Sequence, residues 1–244
     1  MGKNTSRETI FRFKRFQVKN ELSAMKVGTD GVLLGAWADV AMSQCVLDAG
    51  SGTGLIALMT AQRSNAHIIG VEIDSTAARE SVENVEMSPW RDRIEIVEGD
   101  ITAMTKRFAV EGVDHVISNP PFFGNGVKAT DRARAIARHC DSLSFDTLIN
   151  FSSKILNNDG RLSFVSPYTE CDNIITSAAF HNMHISRYAE VMSRLDSKLP
   201  VRILWELSMS ESYETQKSVI VIRDLNNQYT QQYKNLTQDF YLNM

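Results

Sequence analysis

Asp48-Ala49-Gly50-Ser51-Gly52-Thr53-Gly54 is the stretch that decides how this 244-residue chain folds. It follows the apolar pair Val46-Leu47 and leads into a helix-like run to Arg63, so it turns a strand into a helix. In an open α/β sheet that turn is where nucleotide-like ligands bind. Glycines there let a ligand approach the backbone, and the helix start offers unpaired N–H donors.

Outward from this loop the pattern repeats. Apolar or β-branched runs at Val46-Leu47, His67 to Ile73, Ile94 to Val97, Val113 to Ile117 and Arg161 to Val165 alternate with helix-like stretches. Such alternation predicts an α/β fold with a mostly parallel sheet and helices on both faces. Gly54 to Arg63 and Ser75 to Met87 read as helices, the second with Ser75 or Asp74 as its cap. Phe145 to Leu156 reads as another, ended by Asn157-Asn158-Asp159-Gly160. A helix over Asn173 to His181 and strands over Ile185 to Met192, Val201 to Ser208 and Lys217 to Ile222 follow. Tyr229, Tyr233, Leu236 and Phe240 recur at helical spacing and predict an apolar stripe that docks on the body.

A mass of 27.4 kDa and 43% hydrophobic residues suit one large domain. No apolar run reaches the roughly 18 residues of a membrane span, and no signal-peptide core follows the charged start, so a cytoplasmic protein is expected. Cys45, Cys140 and Cys171 are widely spaced without CxxC and read as free thiols. His181 and His184 lie three apart, but no carboxylate pattern completes a metal site, so no metal is expected. The net charge of -3 does not advertise a nucleic-acid binder. Basic residues nonetheless cluster: Lys3 to Lys26 includes Arg7, Arg12, Lys14, Arg15 and Lys19, and a second group holds Lys128, Arg132, Arg134 and Arg138. Two patches of basic surface on an acidic body are expected, against the plainer reading of solvated faces.

The spacing of the glycines carries more chemistry. A dinucleotide fingerprint wants GxGxxG; here the order is GxGxG with Leu55 in the last place and Asp48 at the strand end, which favours S-adenosylmethionine. Glu72 and Asp74 flank Ile73 at the end of the second strand, where a carboxylate can accept both ribose hydroxyls, and Glu72 is the expected one. Asp100, after the third strand, is placed to accept from an adenine amine, with Ile101 as an apolar wall. Asp48, Gly50, Ser51, Gly52, Gly54, Glu72, Ile73, Asp100 and Ile101 are therefore the candidate cofactor residues. Each carboxylate alone reads as a surface or capping residue; their places at successive strand ends make the joint signal.

Asn119-Pro120-Pro121-Phe122 follows Val116-Ile117-Ser118 at the end of the fourth strand, beside the same crevice. An aromatic amine is a poor nucleophile because its lone pair is delocalised into the ring. The Asn119 side-chain oxygen and the Pro120 carbonyl can accept both amine hydrogens, drawing the nitrogen towards tetrahedral geometry. Two prolines restrict the turn, and Phe122 can stack on a flat substrate. These four residues are the candidate catalytic set, and Asn119 also faces the cofactor.

With this motif the sequence resembles the class I methyltransferases that carry Asn/Asp-Pro-Pro-Phe/Tyr, and more narrowly the bacterial tRNA(Val) adenine-N6 methyltransferases. The narrower resemblance rests on Met25 to Trp37, the glycine loop, Asn119 to Phe123, Ala137-Arg138-His139 and the ending Leu236 to Leu242. It implies a seven-stranded class I sheet with a reversed final strand, S-adenosylmethionine as donor with S-adenosylhomocysteine as product, and tRNA as substrate. It also implies that Gly28, Thr29 and Asp30 lie near the methionine end of the cofactor. Phe122 departs from the tyrosine of many relatives, which keeps the stacking face and loses a hydroxyl.

The resulting organisation is a basic segment over 1–30, a methyltransferase domain over 31–223 and a docking helix over 224–244. Arg12, Lys14 and Arg15, with Arg132, Arg134 and Arg138, are the candidate RNA contacts, and a monomer is favoured. A protein glutamine side chain or an rRNA amine poses the same lone-pair problem and stays open as an acceptor. So does a non-catalytic RNA-binding protein on the same fold.

Overall fold

A computed structural model describes residues 10–23, 25–121, 143–211 and 214–243. Along the chain run β1 (Ile10–Arg12), β2 (Gln17–Lys19), α1 (Thr29–Trp37), β3 (Cys45–Ala49), α2 (Leu55–Arg63), β4 (His67–Glu72), α3 (Ser75–Glu86) and β5 (Ile94–Glu98). There follow α4 (Thr105–Glu111), β6 (Val113–Ser118), α5 (Phe145–Ile155), β7 (Leu156–Pro167), α6 (Cys171–Phe180), β8 (His184–Arg194), β9 (Arg202–Ser208), β10 (Gln216–Arg223) and α7 (Gln231–Thr237).

β3 to β10 form one sheet in the order β10-β8-β9-β7-β6-β3-β4-β5. Val46, Leu47 and Ala49 are all fully buried, as expected of a parallel strand covered on both faces. Successive side chains divide between two cores. Val46, Ile68 and Ile117 pack with α1, α2 and Tyr233 of α7; Leu47, Ile69 and Val116 pack with Phe108 of α4 and with α5 and α6. The chain leaves β3 towards β4 and β5, then returns to build β6 and β7 on the other side. β3 and β6 are therefore the switch point, and a crevice opens beyond their carboxyl ends.

The sheet is a class I arrangement with an addition. β9, seventh strand of the sheet in chain order, runs antiparallel to both β7 and β8, the reversal the resemblance implies. β10 then adds an eighth strand parallel to β8, so the sheet is one wider than the implied seven. Its outer edge is held by the tail, where Gln232 donates to the Val219 carbonyl at 2.6 Å and accepts from the Val221 N–H at 3.2 Å.

The opening hairpin, α1 and the short α4 were not expected from the sequence. β1 and β2 make an antiparallel hairpin whose turn stacks Phe13 on Phe16 at 4.6 Å. Phe13, Phe16 and Val18 are buried, so this stretch is part of the body rather than a free arm. α1 occupies the Gly28 to Trp37 region; a Cβ on Gly35 would stand 2.8 Å from the Met59 sulfur, so glycine here allows α1 to lie close on α2. The tail helix is shorter than its apolar stripe. The Thr230 side chain accepts from the Tyr233 N–H and caps α7, leaving Tyr229 before the helix and Phe240 in the turns after it.

The hairpin is fastened to α3 by buried polar groups. The Glu80 carboxylate, 2% exposed, accepts the backbone N–H groups of Glu21, Leu22 and Ser23 at 2.6, 2.9 and 2.8 Å. Asn84 accepts from the Lys19 N–H and donates to the carbonyls of Lys19 and Thr53. Removing a buried acceptor leaves several donors unsatisfied. Glu80→Ala is expected to cost about 3 kcal/mol of folding stability, read as a lower urea midpoint; an unchanged midpoint would show that water replaces the carboxylate freely.

Candidate cofactor and reaction site

The loop after β3 works because of its glycines. Gly50, Gly52 and Gly54 have φ of +78°, +55° and +79°, a region that side-chain-bearing residues rarely adopt. At Gly54 an added Cβ would also come within 2.6 Å of the Ser81 hydroxyl. The N–H groups of Gly50 and Ser51 both donate to the Val71 carbonyl, which lashes the loop to β4.

Two buried carboxylates brace the same turn. One Asp48 oxygen accepts from the Ala57 N–H at 3.1 Å, satisfying the first turn of α2, while the other is buried without a partner. Burial raises the Asp48 pKa to about 7, the Ala57 hydrogen bond opposes that rise, and the neighbouring Glu72 adds to it. Glu72, at the end of β4, accepts from Gly52 at 2.8 Å and from Asp74 at 2.9 Å. Its pKa is also raised by burial, against the pull of those two N–H groups. Ile73 beside it is exposed, and Asp74 caps α3 through the N–H groups of Thr76 and Ala77.

The end of β5 joins this group through Gly99, whose N–H donates to the Glu72 carbonyl at 2.8 Å. Asp100 then accepts from the Thr102 N–H and hydroxyl through one oxygen, both at 2.8 Å, and Ile101 is buried. At the switch point the Ser118 hydroxyl donates to the Ala49 carbonyl at 2.7 Å, holding the ends of β6 and β3 together. Asn119 comes next. Its side-chain oxygen is buried and accepts no hydrogen bond from the described residues, and its amide nitrogen lies 3.6 Å from where a Cβ on Gly31 would stand. Pro120 is buried and Pro121 half-buried.

Gly28 caps α1 in an extended conformation and Thr29 is its first residue. Asp30 is bound to Arg202 of β9 at 2.9 Å, so its carboxylate also anchors α1 to the sheet. Of the basic candidates, Lys14 donates to the Gln238 carbonyl at 2.6 Å and Arg15 lies over Trp90 at 5.4 Å. Phe122, Arg132, Arg134 and Arg138 lie outside the described residues, as does Cys140; Cys45 and Cys171 are free and half-buried.

The structure thus brings the glycine loop, Glu72, Asp100, Asn119 and the start of α1 to one crevice. The sequence reading missed the frame behind it: Gly31, whose lack of a Cβ leaves room for Leu55 at 3.2 Å beside Asn119, and Ser23, whose hydroxyl lies 3.8 Å from the Cβ position of Gly52. Glu80 and Asn84 sit four apart on one helix face, a polar pair that on its own reads as solvent-facing. Among the described residues no group of three or more His, Cys, Asp or Glu could hold a metal, and no helix is long and apolar enough to cross a membrane.

A glycine turn, a carboxylate at the next strand end and an amide followed by two prolines stand at one switch point, the place where open α/β sheets bind nucleotide-like ligands. The methyltransferase small domain model matches residues 23–189. A relative from Mannheimia succiniciproducens is 41% identical over 98% of this chain and 97% of its own length. Another, from Aeromonas hydrophila, is 40% identical over 100% of both. Both carry the name tRNA1(Val) (adenine(37)-N6)-methyltransferase. In fold the chain is similar to a predicted O-methyltransferase of Agrobacterium tumefaciens, with a TM-score of 0.67, 21% identity and 86% and 96% of the two chains covered. The chain belongs to the methyltransferase small domain family, among the relatives named as tRNA1(Val) (adenine(37)-N6)-methyltransferases. It is a methyltransferase with S-adenosylmethionine as cofactor.

The residues present fit that cofactor. Buried polar atoms of Asp48, Ser51 and Asn119 have no partners among the described residues, around a loop whose glycines keep the backbone bare. The Asp48 carboxyl carries a testable consequence. Its pKa rises from 3.8 to about 7 on folding, so its ionisation opposes folding: stability is highest below the unfolded value and falls as pH rises towards 7. Without cofactor, Asp48→Asn is expected to gain stability relative to the unmodified protein between pH 5 and pH 8, roughly the window of that titration. Parallel urea melts at the two pH values measure the difference, and equal slopes would disprove the assignment.

Proposed function

We propose that this enzyme transfers the methyl group of S-adenosylmethionine to the exocyclic N6 of an adenine in tRNA, the adenosine 3′ of the anticodon (position 37) of tRNA(Val). The observation that carries the reaction type is the Asn119 side-chain oxygen, a buried acceptor at the switch point that has no donor among the described residues. A buried acceptor is costly unless a ligand satisfies it. The names of relatives at about 40% identity over the whole chain support the acceptor base.

In this reading the glycine loop from Gly50 to Gly54 cradles the cofactor, Glu72 accepts from the ribose hydroxyls, and Asp100 with Ile101 receives the adenine. Gly28, Thr29 and Asp30 border its methionine end. The bound cofactor supplies an electrophilic methyl on a sulfonium. Asn119 and the Pro120 carbonyl would accept the two amine hydrogens and turn the nitrogen lone pair towards that methyl, so no general base has to act before transfer; the sulfur keeps the electron pair of the broken S–C bond, and the methylated nitrogen afterwards releases one proton to solvent. The prolines hold both acceptors still, and Phe122 stacks on the target base. An anticodon-loop adenosine is already in a single-stranded context, which lowers the cost of bringing it to the crevice. The enzyme works on tRNA in the cytoplasm, as a monomer.

Incubation with labelled cofactor and unmodified tRNA, followed by nucleoside mass spectrometry, is expected to give N6-methyladenosine. Asn119→Ala is expected to bind cofactor normally and lose at least about 100-fold in turnover, the scale of one removed transition-state contact. Label entering protein alone, or normal turnover by the variant, would overturn the reading.

Arg132, Arg134 and Arg138, with Arg12 and Arg15, are assigned to tRNA phosphates, which position the substrate without choosing its sequence. Neutralising Arg134 and Arg138 together is expected to flatten the dependence of tRNA affinity on log salt by about two phosphate contacts, while cofactor affinity stays put. Filter binding across a salt series decides it; an unchanged slope removes both residues from the interface.

A further inference from the structure

The two ends of the described chain meet beside the crevice. Lys14 donates its backbone N–H to the Phe240 carbonyl at 2.8 Å, and Phe13 bridges to Tyr241. Between them opens a groove of about 450 Å³ lined by Phe11, Arg12, Gly28, Thr29, Tyr229 and Tyr241, among others. Its size falls within the roughly 300–1,000 Å³ of small-ligand sites. None of the glycine-loop residues, Glu72, Asp100 or Asn119 lines it, so it meets the proposed cofactor crevice only at Gly28 and Thr29.

Three features indicate what it holds. First, its walls are aromatic and fixed. Phe11 is 37% exposed and meets Tyr241 edge-on at 6.1 Å; Tyr241 is stacked on Phe13, and Tyr229 on Tyr233 at 5.0 Å. Second, arginines border it. Arg12 lines it, the Arg223 guanidinium lies 4.3 Å from the centre of the Tyr229 ring, and none of the described residues lining it is acidic. Third, it is continuous with the reaction centre. Gly28 and Thr29 begin α1, and Gly31, one turn or roughly 5 Å along that helix, stands against Asn119. Aromatic rings joined to arginines are the general means by which proteins hold bases of a single strand.

We propose that this groove binds the base adjacent to the target adenosine, stacking it on Phe11 between Tyr229 and Tyr241 while Arg12 and Arg223 take the connecting phosphate. Extracting one base from a loop leaves its neighbour without a stacking partner. The groove supplies a substitute surface one helical turn from the methyl-transfer point. This inference rests on the RNA reading of the reaction centre and adds a subsite to it.

The test uses the full-length enzyme and an anticodon stem-loop RNA in three forms: intact, abasic at the nucleotide 5′ of the target, and abasic at the nucleotide 3′ of it. One abasic form is expected to raise KM roughly tenfold, the scale of a lost base–aromatic stack, with little change in kcat. 2-Aminopurine at that same nucleotide is expected to lose fluorescence on binding, and Phe11→Ala to abolish the quench while leaving cofactor affinity unchanged. If the intact stem-loop is not methylated, the RNA reading fails as a whole. If the intact form is methylated and neither abasic form changes KM, the groove assignment alone is wrong. The abasic comparison requires no variant, so it decides the matter even if Phe11→Ala folds poorly.

Discussion

Three left-handed glycines within five residues, set against two buried carboxylates, are the constraint around which the molecule is arranged. The loop from Gly50 to Gly54 has no side chains of its own to hold it at those three positions. Its shape comes from outside: Asp48 beneath α2, Glu72 on the Gly52 N–H, and the Val71 carbonyl on two further N–H groups. All of these come from β3 and β4. A strand pair in fixed register is thus what keeps the cofactor loop open, and the parallel sheet is needed for function as much as for the core.

The same logic extends outward. Asn84 reaches the Thr53 carbonyl within the loop and the Lys19 backbone in the hairpin, so α3 links the glycine turn to the start of the chain. Glu80 closes the neighbouring turn by accepting three N–H groups, a concentration of donors that satisfies a buried carboxylate. On the far side of the switch point, Arg187 pairs with the buried Glu206 at 2.8 Å, lies over the Trp37 ring at 3.9 Å and donates to the Trp37 carbonyl. That fixes the last turn of α1, while Asp30 and Arg202 fix its first. Both ends of the helix that borders Asn119 are therefore tied to the reversed half of the sheet.

What could be read in the sequence was what is local. The glycine turn, the Asp74 cap and the strand runs depend on residues within a few positions of each other, and they stand where expected. α1 was hidden because Gly31 and Gly35 lower helix propensity; they are there for α2 and Asn119, a reason that exists only after folding. The hairpin was hidden by its basic residues, which mask the burial of Phe13, Phe16 and Val18. Asn157 to Gly160 were read as the end of a helix, yet they fall inside β7 as an irregularity: Val113 pairs with Leu156 while His115 pairs with Arg161. The groove was beyond reach, because its two walls lie more than two hundred residues apart in the chain.

The distribution of charge suits a neutral amide at position 119. Buried Asp48 and half-buried Glu72 are neighbours, and burial drives the pKa of both upward. A third carboxylate at position 119 would meet the same desolvation and add like-charge repulsion, so in the free enzyme it would tend to hold a proton and present a donor beside its acceptor. Asn119 keeps its acceptor whatever the pH, because an amide oxygen does not titrate in this range. Its side-chain oxygen is buried and has no partner among the described residues, so it is already withdrawn from bulk solvent. In the proposed reaction, a neutral acceptor held by the two prolines that follow it and by a tethered helix needs no change of its own protonation state and no backbone movement to receive the amine.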